Sequence, residues 1–515
     1  MRRALSILAV ALVACGGPDA APEDGDGVRT SGGDTTVEVI REAPREPPPE
    51  SGPAREIRFP AIVRSTLAND FELNTVRAGS LPVVYLRFVV RSGDATDPAD
   101  EPGTAGFVAA MMKEGTRERS SAELAEDIAF LGADMETGTG RETLVITLRC
   151  LSEHLSEAMD ILADVALHPA FDSGELRALK EREGDRLRQA ANQPRWLAAR
   201  ALYRELYGEH PYAQIDTTAE AIEAISRTDL RRWHRDHVIP NDSFLVAVGD
   251  VDPDEVEGLA RRHFGNWRSR SVREPTYAEP PTRSEREIVV VDRPQATQSV
   301  IYVGNLALPR SSPDFVPLLV ANQVLGGSAS SRLFMDLRER QGLTYGAYSA
   351  VRESPQVAPF IAFAAVQNDF TEAAMAGFVD HLQRIASEQA ADAEIADARR
   401  YLADSFPLQI ETAGRIAAMV EELRVYGLED DYWESYLGAV RGVTGERAFA
   451  AAQRYIRPSE ALIVAVGSAA RIAEPLRYYG PVRVEDTSGA PIGRFEAMTD
   501  EERAAADEAR AAAAE

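Results

Sequence analysis

Phe244–Asp250 reads FLVAVGD, and Leu462–Ser468 reads LIVAVGS. Each run is a block of branched apolar residues closed by Val-Gly, the composition of a buried strand that ends in a turn. Each is followed by a stretch with helical spacing that ends in an aromatic-glycine pair, His263-Phe264-Gly265 in the first case and Tyr478-Tyr479-Gly480 in the second. Gly249 and Gly467 lie 218 residues apart, far beyond the period of a stacked repeat, so two homologous domains are expected. Each half opens with strand-like runs, Val83–Val90 (VVYLRFVV) and Ser299–Gly304 (SVIYVG). Each continues with apolar residues at three- and four-residue spacing, as in Leu124–Leu131 and Leu155–Leu167, which predicts helices. Strands clustered with helices, without strict β-α-β alternation, point to an α+β fold: two duplicated α/β sandwich domains, each an antiparallel-rich sheet with helices packed on one face. The segment Ser271–Glu285, carrying Pro275, Pro280 and Pro281, reads as the linker. The domains are therefore placed at 58–270 and 286–482.

The chain has 515 residues, 44% of them hydrophobic, and a formal net charge of −26. It is long enough for several buried cores. A surface this acidic repels phosphate backbones, which argues against a nucleic-acid partner. Only two cysteines are present, Cys15 and Cys150, so no disulfide framework is expected. Cys150 ends the apolar run ETLVITLRC and reads as a lone buried thiol. Arg2 and Arg3 precede an apolar run, Ala4–Val13, that is too short to span a bilayer and fits a secretory signal. It closes on Leu12-Val13-Ala14-Cys15, which resembles the lipobox of bacterial lipoproteins and implies cleavage after residue 14 and a lipid on Cys15. Residues 15–57 are acidic and punctuated by proline, a composition that cannot offset its ordering entropy and reads as a disordered tether. Residues 483–515 read as an acidic tail, helical towards the end. The expected location is the bacterial cell envelope, lipid-anchored on the periplasmic side. Gly16 rather than aspartate after the cysteine leans towards the outer membrane.

Gly103–Thr116 reads GTAGFVAAMMKEGT. This frame resembles the zinc-site helix of the insulinase/pitrilysin family, G-x-x-H-F-x-E-H-M-x-x-x-G-T. The match holds at the first glycine, at Phe107, at Met111 and at Gly115-Thr116. It fails at the chemistry. Gly106 and Ala110 stand where the family has its two histidines, and Ala109 where it has its glutamate. Two histidines four apart share one helical face and one metal, and the glutamate between them acts as base on metal-bound water. Glycine and alanine offer no donor atom for either task. The family's third ligand, a glutamate on a later helix, falls at Arg186 within EREGDRLRQAANQP, with Asp185 beside it, and a guanidinium does not ligate zinc. The chain has seven histidines. His234 and His237, three apart, lack a third ligand at a recognisable spacing and read as a solvated helix face. His210 reads as structural.

In the second half, Leu337–Tyr345 (LRERQGLTY) resembles the family's run carrying an arginine and a tyrosine seven apart, here Arg338 and Tyr345, with Arg340 and Tyr348 as nearby alternatives. A helix over Ser331–Arg340 is predicted to stop at Gly342. Leu343, Tyr345 and Ala347 are then predicted to alternate along a strand. By resemblance, Arg338 and Tyr345 bind substrate backbone and help stabilise the oxyanion. The resemblance implies a non-catalytic subunit of a heterodimeric zinc peptidase. It would bind no cofactor itself, its partner would be an H-x-x-E-H-bearing chain that holds the zinc, and an unfolded peptide would be the substrate. The competing expectation is an envelope binding or assembly protein that keeps the fold without a peptidase role. An active zinc enzyme with unusual ligands is disfavoured by Ala109.

Overall fold

The structure, a computed structural model, describes residues 58–272 and 275–514, together with a two-residue strand pair, Val28–Arg29 with Glu38–Val39. Cys15, the signal segment and most of the tether lie outside the described residues. Among the described residues no helix is long and apolar enough to cross a membrane.

The first half builds a six-stranded sheet from β1 (Val63–Thr66), β2 (Glu72–Arg77), β3 (Val83–Val90), β4 (Asp134–Thr139), β5 (Leu144–Leu151) and β6 (Ser243–Gly249), in the order β1-β2-β6-β3-β5-β4. The second half builds a seven-stranded sheet from β7 (Glu287–Asp292), β8 (Gln298–Leu308), β9 (Thr344–Val351), β10 (Ala358–Gln367), β11 (Leu462–Gly467), β12 (Val482–Glu485) and β13 (Pro491–Phe495), in the order β9-β10-β8-β11-β7-β12-β13. The run β2-β6-β3-β5-β4 repeats as β7-β11-β8-β10-β9. In both, the first pair is parallel and the rest antiparallel. The two Val-Gly runs, β6 and β11, hold the same place in this order, and the duplication legible in sequence is a duplication of topology. Gly249 closes β6 at φ 139. A side chain there would meet the Val83 carbonyl at 2.0 Å, so the turn admits only glycine.

The helices used below are α1 (Thr104–Met112), α2 (Leu155–Leu167), α3 (Ser173–Ala190), α4 (Pro194–Tyr207), α5 (Arg227–His237), α6 (Pro253–Phe264), α7 (Asp392–Gln409), α8 (Ala413–Val425), α9 (Tyr432–Arg441) and α10 (Asp500–Ala514). Each sheet carries its own helices on one face, as expected. In the first half, Leu86, Phe88, Ile146 and Leu245 pack with α1, α2 and α6. The second face is where sequence periodicity was silent. Residues of opposite parity, Val89, Phe244, Val246 and Val248, pack against α7, α8 and α9 of the second half. In return, Val289, Val300, Ile361 and Val464 of the second sheet pack against α4 of the first half. This exchange explains why every residue of β6 is buried: a strand covered on both faces reads as a continuous apolar run. Polar contacts cross the same boundary. Arg87 Nε donates to Glu421 Oε2 at 2.7 Å, and Arg424 Nε donates to Asn74 Oδ1 at 2.9 Å.

The chain after 482 is not a free tail. β12 pairs parallel with β7, and β13 extends the sheet beyond it. Tyr478 OH donates to Asp507 Oδ1 at 2.9 Å and Arg510 Nε donates to Glu372 Oε1 at 3.1 Å, holding α10 on the second half. Alternating Val482 and Val484 supplied too short a pattern to mark a strand against an acidic background. Cys150 is free and buried, and burial pushes its thiol up to about 12.

Candidate functional site

α1 starts at Gly103, where the Asp97 carboxylate accepts from the Gly103 amide at 2.7 Å and the Ala105 amide at 2.8 Å. Two otherwise orphaned helix N–H groups are thereby satisfied. Burial, reinforced by nearby Asp94, pushes the Asp97 carboxyl up to about 7 against the pull of those amides. α1 and α3 flank a cavity of about 410 Å³, into which Gly106 and Ala110 face from α1 and Glu183 and Arg186 from α3. Ala109 is buried in the core at 1% exposure.

Arg186, which the resemblance sets against the third ligand, is held firmly in this cavity. Its Nη1 and Nη2 fork onto both Asp216 carboxylate oxygens, at 2.9 and 2.5 Å, and its Nε donates to Glu183 at 2.6 Å. Trp196 Nε1 adds a further donor to Asp216 at 3.2 Å. The hydrogen bond to Asp216 is the largest effect that holds the guanidinium more firmly charged. A divalent cation needs deprotonated N, O or S donors. Gly106 and Ala110 supply none, and Arg186 brings a positive charge to the place. The residues present therefore do not fit zinc. Among the described residues no cluster of three or more His, Cys, Asp or Glu is arranged to hold a metal ion.

The histidines have other uses. His234 and His237 do not converge, and neither is solvated as expected. His234 Nε2 meets the Ala166 carbonyl at 2.8 Å and its ring packs edge-on to Phe171. His237 Nδ1 meets Ser92 Oγ at 3.1 Å and its ring packs on Trp233. Burial pushes His234 down to about 4. His210 accepts from the Tyr212 amide at 3.1 Å inside an aromatic cluster with Tyr207 and Tyr277.

In the second half the helix predicted over Ser331–Arg340 is only helical from Arg332 to Phe334, and Met335–Arg340 forms a π-turn. The Gln341 amide reaches back to the Asp336 carbonyl at 2.9 Å. Asp336 anchors this turn, accepting from Gln341 Nε2 at 2.8 Å and from Arg340 Nε at 2.9 Å, and facing buried His381 Nε2 at 2.6 Å. Arg340 is thus consumed by the fold. Arg338, on the other side of the turn, lies with its guanidinium carbon 4.7 Å from the Phe334 ring centroid and 4.8 Å from that of Tyr345. Tyr345 is 86% exposed. The expected alternation through Leu343, Tyr345 and Ala347 does not hold, because the β9–β10 register shifts between Thr344 and Ala347. The bulge turns Tyr345 outward while Ala347 stays buried. Tyr348 packs between Phe334 and Phe363. Of the arginine and tyrosine candidates, the structure brings together Arg338, half-buried and paired through Nε with Glu339 Oε1 at 3.3 Å, and Tyr345, which faces solvent. None of the residues lining the α1–α3 cavity comes from the second half.

Residues 76–216 match the family model described as insulinase (peptidase family M16), and residues 224–402 match the one described as the peptidase M16 inactive domain. The chain belongs to the insulinase family. It is a member that lacks the H-x-x-E-H motif. An uncharacterized zinc protease of Mycobacterium leprae is 27% identical over 300 residues, 57% of this chain and 66% of that protein. A protein of Helicobacter pylori described as a non-peptidase homolog is 25% identical over 335 residues, 64% of this chain and 77% of its own. The crystal structure of a peptidase M16 inactive domain from Pseudomonas fluorescens superposes with a TM-score of 0.75 at 25% identity, covering 79% of this chain and 98% of that one. Both halves of the fold are thus those of the family, and the chain is a non-catalytic member of it.

Proposed function

We propose that this protein is the non-catalytic subunit of a heterodimeric zinc peptidase. It would pair with an H-x-x-E-H-bearing chain that holds the zinc, and help bind an unfolded peptide. The observation that carries this reading is the Arg338–Tyr345 pair. A cation stacked on an outward aromatic supplies a charge and a phenolic donor to a ligand from outside the chain. The fold spends Asp336, Arg340 and Gln341 on holding the turn that presents Arg338, while the helix that carries zinc in active relatives is stripped of ligands. The body would be anchored through a lipid on Cys15 in the bacterial envelope, with the tether giving it reach.

The competing reading, an envelope binding or assembly protein, is favoured by the Arg186–Asp216 fork, which would fill the zinc position with structure instead of function. Extraction of the tagged protein from its native membrane in mild detergent, with mass spectrometry of the companions, separates the two. A near-stoichiometric insulinase-family chain with H-x-x-E-H is expected. Recovery alone, or with unrelated envelope proteins, supports the binding or assembly protein instead.

A further inference from the structure

The chain carries a formal net charge of −26, yet a cleft of about 840 Å³ on the first half is lined by Arg117, Arg231, Arg235, Arg268 and Arg270, and by no carboxylate among the described residues. It lies where the loop after α1, the end of α2, α5 and the segment after α6 meet. Two of the five are occupied: Arg235 Nε pairs with Asp236 at 2.8 Å, and Arg270 Nη1 donates to the Arg235 carbonyl at 3.0 Å. Arg117, Arg231 and Arg268 are exposed, and their side chains make no hydrogen bond or ion pair with any described residue.

A bland explanation is that cations gather at helix C-termini to offset the helix dipole. It accounts for Arg235, in the last turn of α5. It does not account for Arg117 and Arg268, which lie in loops, or for Arg231, in the second turn of α5. Arg117 also registers on a neighbour: burial foremost, then Arg117 and His168, push His234 down. Trp267 is partly exposed in the wall, above a buried Phe171, and Phe171 is held at φ 50, the left-handed region that bulky residues avoid. The cationic rim is arginine throughout, without lysine, and guanidinium groups match two phosphate oxygens at once. The cleft has the size of a site for a ligand with an apolar body, larger than a phosphate ion fills.

We propose that this cleft binds the phosphate-bearing headgroup of an anionic membrane lipid. The rim arginines fork its phosphate, and the partly exposed Trp267 takes the glycerol and first methylenes. The inference rests on the proposed lipid anchor: a body so tethered and of net charge −26 is repelled by an anionic surface except through this face, so the cleft would also set its orientation.

The test is co-sedimentation of the full chain, carrying Cys15→Ser so that no acyl chain is attached, with vesicles of phosphatidylcholine alone or mixed with an equal part of phosphatidylglycerol. Binding to the mixed vesicles above the phosphatidylcholine background is expected, weakened roughly a hundredfold by Arg117→Glu, Arg231→Glu and Arg268→Glu together. The milder triple change to glutamine is expected to give part of that loss with an unchanged melting temperature. Equal binding of both vesicle types, or mixed-vesicle binding untouched by the charge reversal, overturns the proposal. Release of the protein from mixed vesicles by inorganic phosphate, at an ionic strength where chloride leaves it bound, assigns the cleft to free phosphate and overturns the lipid source.

Discussion

Arg186 is the residue on which the first half turns. Its fork with Asp216 is a charge-assisted pair that ties α3 to the loop between α4 and α5. Arg186→Ala would leave the largely buried Asp216 carboxylate with Trp196 and the Thr217 amide as its remaining partners. The expected loss is about 2 kcal/mol of unfolding free energy in urea titration, and a loss within error of zero would mean that the fork is ornamental. The same residue predicts what re-engineering requires. A Cβ built at Gly106 meets only Thr139 Oγ1, at 3.7 Å, and both 106 and 110 line the cavity, which is where the family's histidines would point. Gly106→His with Ala110→His is expected to bind no stoichiometric zinc while Arg186 remains, and to bind one zinc per chain once Arg186→Glu is added, read by metal analysis after dialysis. The absence of the two histidines could be read from Gly103–Thr116, because ligand chemistry belongs to side-chain identity. The carboxylate that clamps Arg186 was not, because Asp216 lies 30 residues away in a loop without periodicity.

At the scale of elements, α5 and the C-terminal end of α2 are joined through a neutral histidine. His234 is held down to about 4, chiefly by burial, against about 6.5 in an unfolded chain. Between those values the unfolded state binds a proton that the folded state does not. Stability therefore falls as pH drops from about 6.5 towards 4. The contribution between pH 7 and pH 5 is about 2 kcal/mol, and His234→Gln, which keeps a donor for the Ala166 carbonyl, is expected to flatten the dependence. Equal pH slopes for the two proteins in urea unfolding would remove His234 from this role. Strands and helices themselves were readable: Val83–Val90 and Leu155–Leu167 have the bounds that their periodicity gave. The π-turn and the β9 bulge were not. Both depend on one inserted residue whose cost is met by contacts distant in sequence, such as Asp336 with His381 and Thr344 Oγ1 with the Ala365 carbonyl. Those two irregularities are what bring Arg338 and Tyr345 together.

Across the molecule, the exchange of helices between halves makes each half incomplete alone. Without α8, the face of Phe244, Val246 and Val248 would meet water, and without α4 so would that of Val300 and Val464. Calorimetry is expected to show one transition for both halves. Arg87→Ala, which strands Glu421 at the boundary, is expected to lower that single transition by about 2 kcal/mol without splitting it, and two resolved transitions would count against the shared core. This coupling was invisible in sequence, since parity along a strand separates its two faces but does not say what covers the second.

The direct test of the central claim is the turnover of the zinc-bearing partner reconstituted with this chain. Wild type is expected to stimulate peptide cleavage. Arg338→Ala and Tyr345→Phe are each expected to lower kcat by roughly a hundredfold, the scale of a lost oxyanion donor, while the complex still assembles on a sizing column. Turnover that both substitutions leave unchanged in a fully assembled complex would contradict a shared site.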